Sequence, residues 1–69
     1  PQRYSEFGRR GFHDGIQGAR RDYGNRRYPD PNNRDEYRDP HVPPQFVHQY
    51  REGFRRGYEM AASQLWTNR

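Results

Sequence analysis

Apolar positions recur at helical period in two stretches of this chain, and between them lies a segment with no period at all. In residues 45–66, QFVHQYREGFRRGYEMAASQLW, Val47, Phe54 and Ala61 stand seven apart, and Tyr50, Tyr58 and Leu65 fill the threes and fours around them. That is the stripe of an amphipathic helix. Phe46, Gly53 and Met60 make a second line beside it at the same spacing. Pro43 and Pro44 sit where a helix begins, because proline suits the first turn and cannot continue a helix from behind. In residues 4–23 the period is carried by Phe12, Ile16, Ala19 and Tyr23. The neighbouring line there is glycine throughout: Gly8, Gly11, Gly15 and Gly18. Glycines inside a helix cost roughly 1 kcal/mol each against alanine. The line therefore predicts that a backbone or a flat ring lies directly against it, since only glycine permits such an approach. Gly24 is placed to cap the end of this helix.

The segment between, GNRRYPDPNNRDEYRDPHVPP, is dense in proline, asparagine and mixed charge, which is linker composition. Some twenty structureless residues inside a compact domain are uncommon. The linker is expected to lie over a surface, anchored by Tyr28 and Tyr37, or to reach a neighbouring molecule, with a short helical turn at 33–38. The pattern thus predicts an all-α chain: two amphipathic Gly/aromatic-rich helices joined by a long Pro/Asn-rich linker and assembling with neighbouring copies. Its parts are a first Gly-rich helical repeat at 4–24, an extended linker at 25–43, a second helical repeat at 44–66 and a tail at 67–69.

The outer parts read as copies of one unit. At an offset of 46, Tyr4-Ser5-Glu6-Phe7-Gly8-Arg9-Arg10-Gly11-Phe12 lies over Tyr50-Arg51-Glu52-Gly53-Phe54-Arg55-Arg56-Gly57-Tyr58. The i, i+4 pairs Glu6–Arg10 and Glu52–Arg56 coincide in this alignment and predict helix-surface ion pairs.

Composition changes what such helices can do alone. Only 28% of the 69 residues are hydrophobic, against roughly 45–50% (glycine included) in an ordinary domain. The aliphatic residues suited to a core are Ile16, Val42, Val47, Met60 and Leu65. The rest is aromatic, and six of those rings are tyrosines with a hydroxyl to satisfy. A single copy is expected to be short of core, so that partners supply stability. The net charge is +4, and all thirteen basic residues are arginine. A guanidinium stacks on rings and forks onto carboxylates and phosphates as lysine does not. With no cysteine, disulfides and thiolate metal sites are excluded. No apolar run is long enough to span a bilayer.

The run 50–58, Tyr-Arg-Glu-Gly-Phe-Arg-Arg-Gly-Tyr, resembles the Tyr/Phe-Arg-x-Gly-Tyr/Phe helical repeats of small, often exported bacterial proteins for which no activity is known; residues 4–12 share the likeness in part. The resemblance implies an extracytoplasmic or extracellular location and no catalytic residue.

Catalytic, cofactor and metal residues are not expected. Ser5, Ser63 and Thr67 lie in no nucleophile context. His48 with Glu52 would place two ligands on one helix face, but no metal motif surrounds them. The oxygen-rich stretch from Asp30 to Glu36 lacks the glycine of a calcium loop. Two functions remain. One is a structural subunit self-assembling into a homo-oligomer or filament, as repeated units do by stacking. Its interface would be Gly8, Gly11, Phe12, Gly15, Ile16, Gly18, Tyr50, Gly53, Phe54, Gly57, Tyr58, Ala61 and Leu65. The alternative is a binding module for nucleic acid or acidic polysaccharide, with Arg9, Arg10, Arg20, Arg21, Arg26, Arg27, Arg55 and Arg56 as contacts and tyrosines stacking between them.

Overall fold

A computed structural model describes residues 5–67; Tyr4 of the repeat and Asn68 and Arg69 of the tail lie outside them. The order is α1 (Glu6–Gly24), a 3-10 turn (Pro31–Asn33), the short α2 (Asp35–Arg38), a second 3-10 turn (Pro44–Phe46) and α3 (Val47–Leu65). The described residues contain no strand, and the protein is all-α.

Local chemistry accounts for most boundaries. Ser5 caps α1, its hydroxyl accepting the Gly8 N–H at 3.0 Å, which satisfies a donor the first turn leaves free. Pro44 opens the turn that leads into α3, as the sequence predicts. At its far end α1 differs from expectation. Gly24 is the last helical residue, and its φ is not positive; the left-handed residue is Arg26, at φ 61°.

The two long helices run parallel. At their N-terminal ends Phe7 stacks on Phe46 with centroids 4.6 Å apart, and at their C-terminal ends Tyr23 meets Trp66 edge-on at 5.1 Å. This explains the linker. Antiparallel helices need only a short turn, but a parallel pair needs a strand of chain that returns the full length of a helix, about 27 Å for nineteen residues. Residues 25–43 make that return trip and pack as they go. The Asp30 N–H donates to the Tyr58 hydroxyl at 3.0 Å. The Tyr37 ring lies 5.3 Å from that of Phe54. Arg51 donates to the carbonyls of Tyr37 and Arg38 at 3.0 and 2.9 Å. Of the two expected anchors Tyr37 serves, whereas the Tyr28 side of the chain stays 84% exposed. The result is a slab, 40 × 25 × 12 Å over its Cα atoms, with the linker on one broad face of the helix pair.

The glycine line is the seam of that pair. A Cβ on Gly11 would stand 2.1 Å from the Tyr50 carbonyl oxygen, one on Gly15 2.1 Å from that of Phe54. From the other side, a Cβ on Gly53 would stand 2.0 Å from the Gly8 carbonyl oxygen, and one on Gly57 2.1 Å from that of Phe12. In each case the glycine hydrogen points at a carbonyl across the seam, a Cα–H···O contact worth on the order of 0.5–1 kcal/mol. These four contacts come in pairs that exchange when 42 is added to the α1 residue and subtracted from the α3 residue. The structural repeat therefore has register 42 and not 46. In that register Gly11-Phe12-x-x-Gly15-x-x-x-Ala19 superposes on Gly53-Phe54-x-x-Gly57-x-x-x-Ala61. Close approach of two backbones needs small residues four apart on both helices, and this register is the one in which the seam contacts exchange.

This corrects the expected use of the interface residues. Gly8, Gly11, Gly15, Gly18, Tyr50, Gly53, Phe54, Gly57, Tyr58 and Ala61 are all buried within the chain's own helix pair and linker. They are not free to meet another copy. Phe12, Ile16 and Leu65 are half-buried. The predicted i, i+4 ion pair also shifts: Glu52 accepts from Arg55 at 3.0 Å, while Arg10 lies 5.6 Å over the Phe7 ring.

Candidate functional site

Two polar constructions stand out, one that holds the fold and one that faces solvent. The first arises because Tyr50 and Tyr58 on α3 and Asp14 and Asp22 on α1 share a spacing of eight residues. On parallel helices equal spacings meet twice. The Tyr50 hydroxyl donates to Asp14 at 2.5 Å and the Tyr58 hydroxyl to Asp22 at 2.5 Å. Phe54 fills the interval, 0% exposed, above Gly15 and Gly18. Asp22 is itself 0% exposed. Besides Tyr58 it accepts from Asn33 Nδ2 at 3.1 Å and from the Arg34 guanidinium at 2.9 Å. One buried carboxylate thus ties α1, α3 and the linker together. A buried charge survives only when paired and hydrogen-bonded in this way.

The environment shifts the groups involved. Burial first, and then the hydrogen bond to Asp22, pushes the Tyr58 hydroxyl up to about 12. Tyr50 moves in the same direction for the same reasons, with Asp14 as its partner. A folded-state pKa above the unfolded value of 10.0 means that stability is fully present below pH 10 and is lost as pH rises through the folded value. The urea midpoint is expected to fall between about pH 10 and 12. Tyr58→Phe should flatten that limb, as followed by circular dichroism.

The second construction is the C-terminal end of α1. The Asn25 N–H donates to the Arg21 carbonyl at 2.9 Å, Arg26 to Tyr23 at 3.0 Å and Arg27 to Asp22 at 2.9 Å. The Tyr28 carbonyl accepts from Asn33 Nδ2 at 2.9 Å. The backbone of 25–28 is thereby pinned while its side chains project. Arg26 occupies the left-handed region without being glycine, a conformation with a cost of about 1 kcal/mol or more. Tyr23, Gly24, Arg26, Arg27, Tyr28, Pro29 and Trp66 line one groove, and Arg20 and Arg21 stand one turn back on α1.

Charge is not balanced at this end. Among the other arginines, Arg34 is engaged with Asp22 and Glu36, Arg38 with Asp35, Arg55 with Glu52 and Glu59 and Arg51 with carbonyls, while Arg56 carries no ion pair among the described residues. Arg20, Arg21, Arg26 and Arg27 carry no ion pair among the described residues. The acid within their stretch, Asp22, is buried and held by Arg34. Of the eight arginines named as polyanion contacts, the structure sets Arg26 and Arg27 on the groove and Arg20 and Arg21 one turn back on α1, with Arg21 beside Asp14 and Glu36. It sets Arg9 and Arg10 in the N-terminal half of α1 and Arg55 and Arg56 on α3, with Arg55 occupied by glutamates.

The histidines, by contrast, are not brought together. His13, His41 and His48 are exposed, and no group of three or more His, Asp or Glu among the described residues is arranged to hold a metal ion. Asp30 uses its carboxylate to accept the Asn32 N–H at 3.0 Å, capping a 3-10 turn. Sequence reasoning missed the Tyr–Asp ladder and the pairing of Trp66 with Tyr23 in particular. The matching spacing of eight was a visible signal for the ladder; Trp66 gave none. No family model matches the chain, and neither a curated protein nor a solved structure matches it.

Proposed function

We propose that this protein is a non-enzymatic binding module whose arginine-rich, aromatic end takes up a polyanion that also presents flat rings, namely single-stranded nucleic acid. The observation that carries this reading is the aromatic groove whose pinned turn presents two unpaired arginines, Arg26 and Arg27, with Arg20 and Arg21 one turn back on α1. Arg20, Arg21, Arg26 and Arg27 supply fork-shaped donors for phosphates. Tyr28, 84% exposed, and Tyr23 and Trp66 supply faces on which unstacked bases lie, each stacked base being worth about 1–3 kcal/mol. A turn that holds Arg26 in a strained conformation while leaving Tyr28 in water has no evident packing benefit, which is consistent with a recognition surface. Self-assembly, the other reading, loses the glycine seam as its contact, because the chain's own helices occupy it.

The test is fluorescence anisotropy of a labelled unstructured oligonucleotide. Four neutralised phosphates predict a slope of log affinity against log salt of about −3, at roughly −0.7 per phosphate on single strands. Replacing both Arg26 and Arg27 by Ser should reduce that slope by about 1.4. Tyr28→Ala should weaken binding about tenfold and leave the slope unchanged. Linear polyphosphate, which has charge without rings, should bind weakly and ignore Tyr28→Ala. Equal affinity for a sulfated glycan would move the assignment to acidic polysaccharide. Lack of binding to any of these polyanions at low salt, with sedimentation showing oligomers instead, would return it to self-assembly.

A further inference from the structure

The linker covers one broad face of the helix pair, and the opposite face is left uncovered. Its composition follows from helix geometry. On α1, Asp14, Gly18 and Asp22 turn toward the linker, so the far flank of the glycine seam carries Phe12, Ile16 and Tyr23. On α3, Phe54 and Tyr58 turn toward the linker, so the far flank carries Arg56 and Met60. Phe12 and Ile16 are half-buried, Met60 is 45% and Tyr23 46% exposed. They form an apolar strip along the seam, with Arg56 exposed at one border and Arg20 at the other.

Carboxylates are missing from this strip. Asp14, Asp22 and the acids of the linker belong to the other side, Glu52 and Glu59 are engaged with Arg55 on the outer edge of α3, and Glu6 lies on the outer edge of α1. The face therefore carries apolar side chains along its α1 half and at Met60, glutamines Gln49 and Gln64 beside Met60 on α3, and an arginine at each border, in a slab only 12 Å thick by Cα positions. A second copy brought face to face would set arginine against arginine. A flat anionic surface meets both features at once: arginines take the headgroup charge and the apolar strip enters the headgroup–acyl boundary. Trp66 and Tyr23 at one end are the side chains that favour that boundary.

We infer that the uncovered face of the helix pair is a docking surface for an anionic lipid bilayer, on which the protein lies flat without crossing it; no helix among the described residues is long and apolar enough to cross. This surface is distinct from the nucleic-acid reading of the arginine turn, although the two share an edge at Arg20, Tyr23 and Trp66. The test uses the whole chain with vesicles of phosphatidylglycerol and phosphatidylcholine, against phosphatidylcholine alone, read by co-sedimentation and by the emission of the single tryptophan. The expected result is binding to the anionic vesicles with a blue shift of Trp66. Met60→Glu and Arg56→Glu should each weaken it about tenfold or more. Both positions are exposed, so circular dichroism should show both variants folded. The inference is overturned if anionic vesicles do not retain the protein. It is also overturned if Met60→Glu binds like the parent while Arg26→Ser/Arg27→Ser does not, since vesicles would then be read only as a polyanion by the arginine turn. Capture of an acidic amphipathic peptide in place of vesicles, sensitive to the same variants, would overturn it as well.

Discussion

Gly15→Ala should unfold much of the protein, although helix propensity alone argues for the opposite. In an exposed helix the exchange stabilises by roughly 1 kcal/mol. Here the new methyl would stand 2.1 Å from the Phe54 carbonyl oxygen and 2.8 Å from the Tyr58 nitrogen, both backbone atoms. Neither can rotate aside, so the helices must separate along the seam. Separation forfeits the carbonyl contacts at Gly11, Gly53 and Gly57 and lifts Phe54 out of its bed. Overpacking of this kind costs typically 1–3 kcal/mol and more where backbone must move. A chain of 69 residues has a total of roughly 3–10 kcal/mol to lose. We expect a fall of at least about 3 kcal/mol in the urea unfolding free energy. Gly57→Ala, with 2.1 Å to the Phe12 carbonyl oxygen, should match it. Gly24→Ala is the control: nothing lies within 4 Å of its Cβ position, so propensity wins and stability should rise slightly. A Gly15→Ala variant as stable as the parent would refute the seam.

Asp22→Ala should be the most damaging change to a polar residue. It leaves the Tyr58 hydroxyl, the Asn33 amide and the Arg34 guanidinium without their shared acceptor. Breaking a buried pair from one side costs about 3–5 kcal/mol; here Arg34 keeps Glu36 at 3.6 Å and is partly exposed, which sets the cost toward the lower end. The damage should also be directional. The linker should detach from the helix pair first, seen as faster amide exchange at Asn33 and Arg34 than in α3. A double-mutant cycle with Tyr58→Phe should show strong coupling. The same residue sets the acid limb. Burial by itself would raise the Asp22 carboxyl, but hydrogen bonds from Tyr58, Asn33 and Arg34 outweigh it and hold the group below its ordinary 3.8. Its contribution is therefore present above that value and lost as pH falls through the folded pKa. Asp22→Asn, which keeps an acceptor for Tyr58, should fold better than Asp22→Ala and lack that acid transition.

Both predictions rest on features that the sequence shows in pieces. The glycine line was legible as a demand for close approach, because four glycines on one helix side have no other economy. Its partner was not legible. Gly53 and Gly57 sit on a stripe that reads as ordinary amphipathic helix, and the alignment at 46 rests on Glu-Arg-Arg matches whose α3 members lie at the helix surface, away from the seam. The 42 register shares fewer polar residue types, but its glycine matches are the seam contacts. The arginine pairs were legible as well. Which of them keep their charge free was decided by where Asp22, Glu52 and Glu59 ended up.

What the amino-acid order determined by itself is local: two helices joined by a linker, a proline start for α3, too few aliphatic residues for an ordinary core, and a backbone-to-backbone contact somewhere. Those follow from periodicity, propensity and sterics within a few residues. Helix direction was left to the tertiary structure, and with it the partner of the glycines, the task of the linker and the burial of Asp22. A helix stripe has the same period whichever way its neighbour runs. Only when parallel packing sets Tyr50 and Tyr58 over Asp14 and Asp22, and obliges the linker to travel back across them, does the difference become physical.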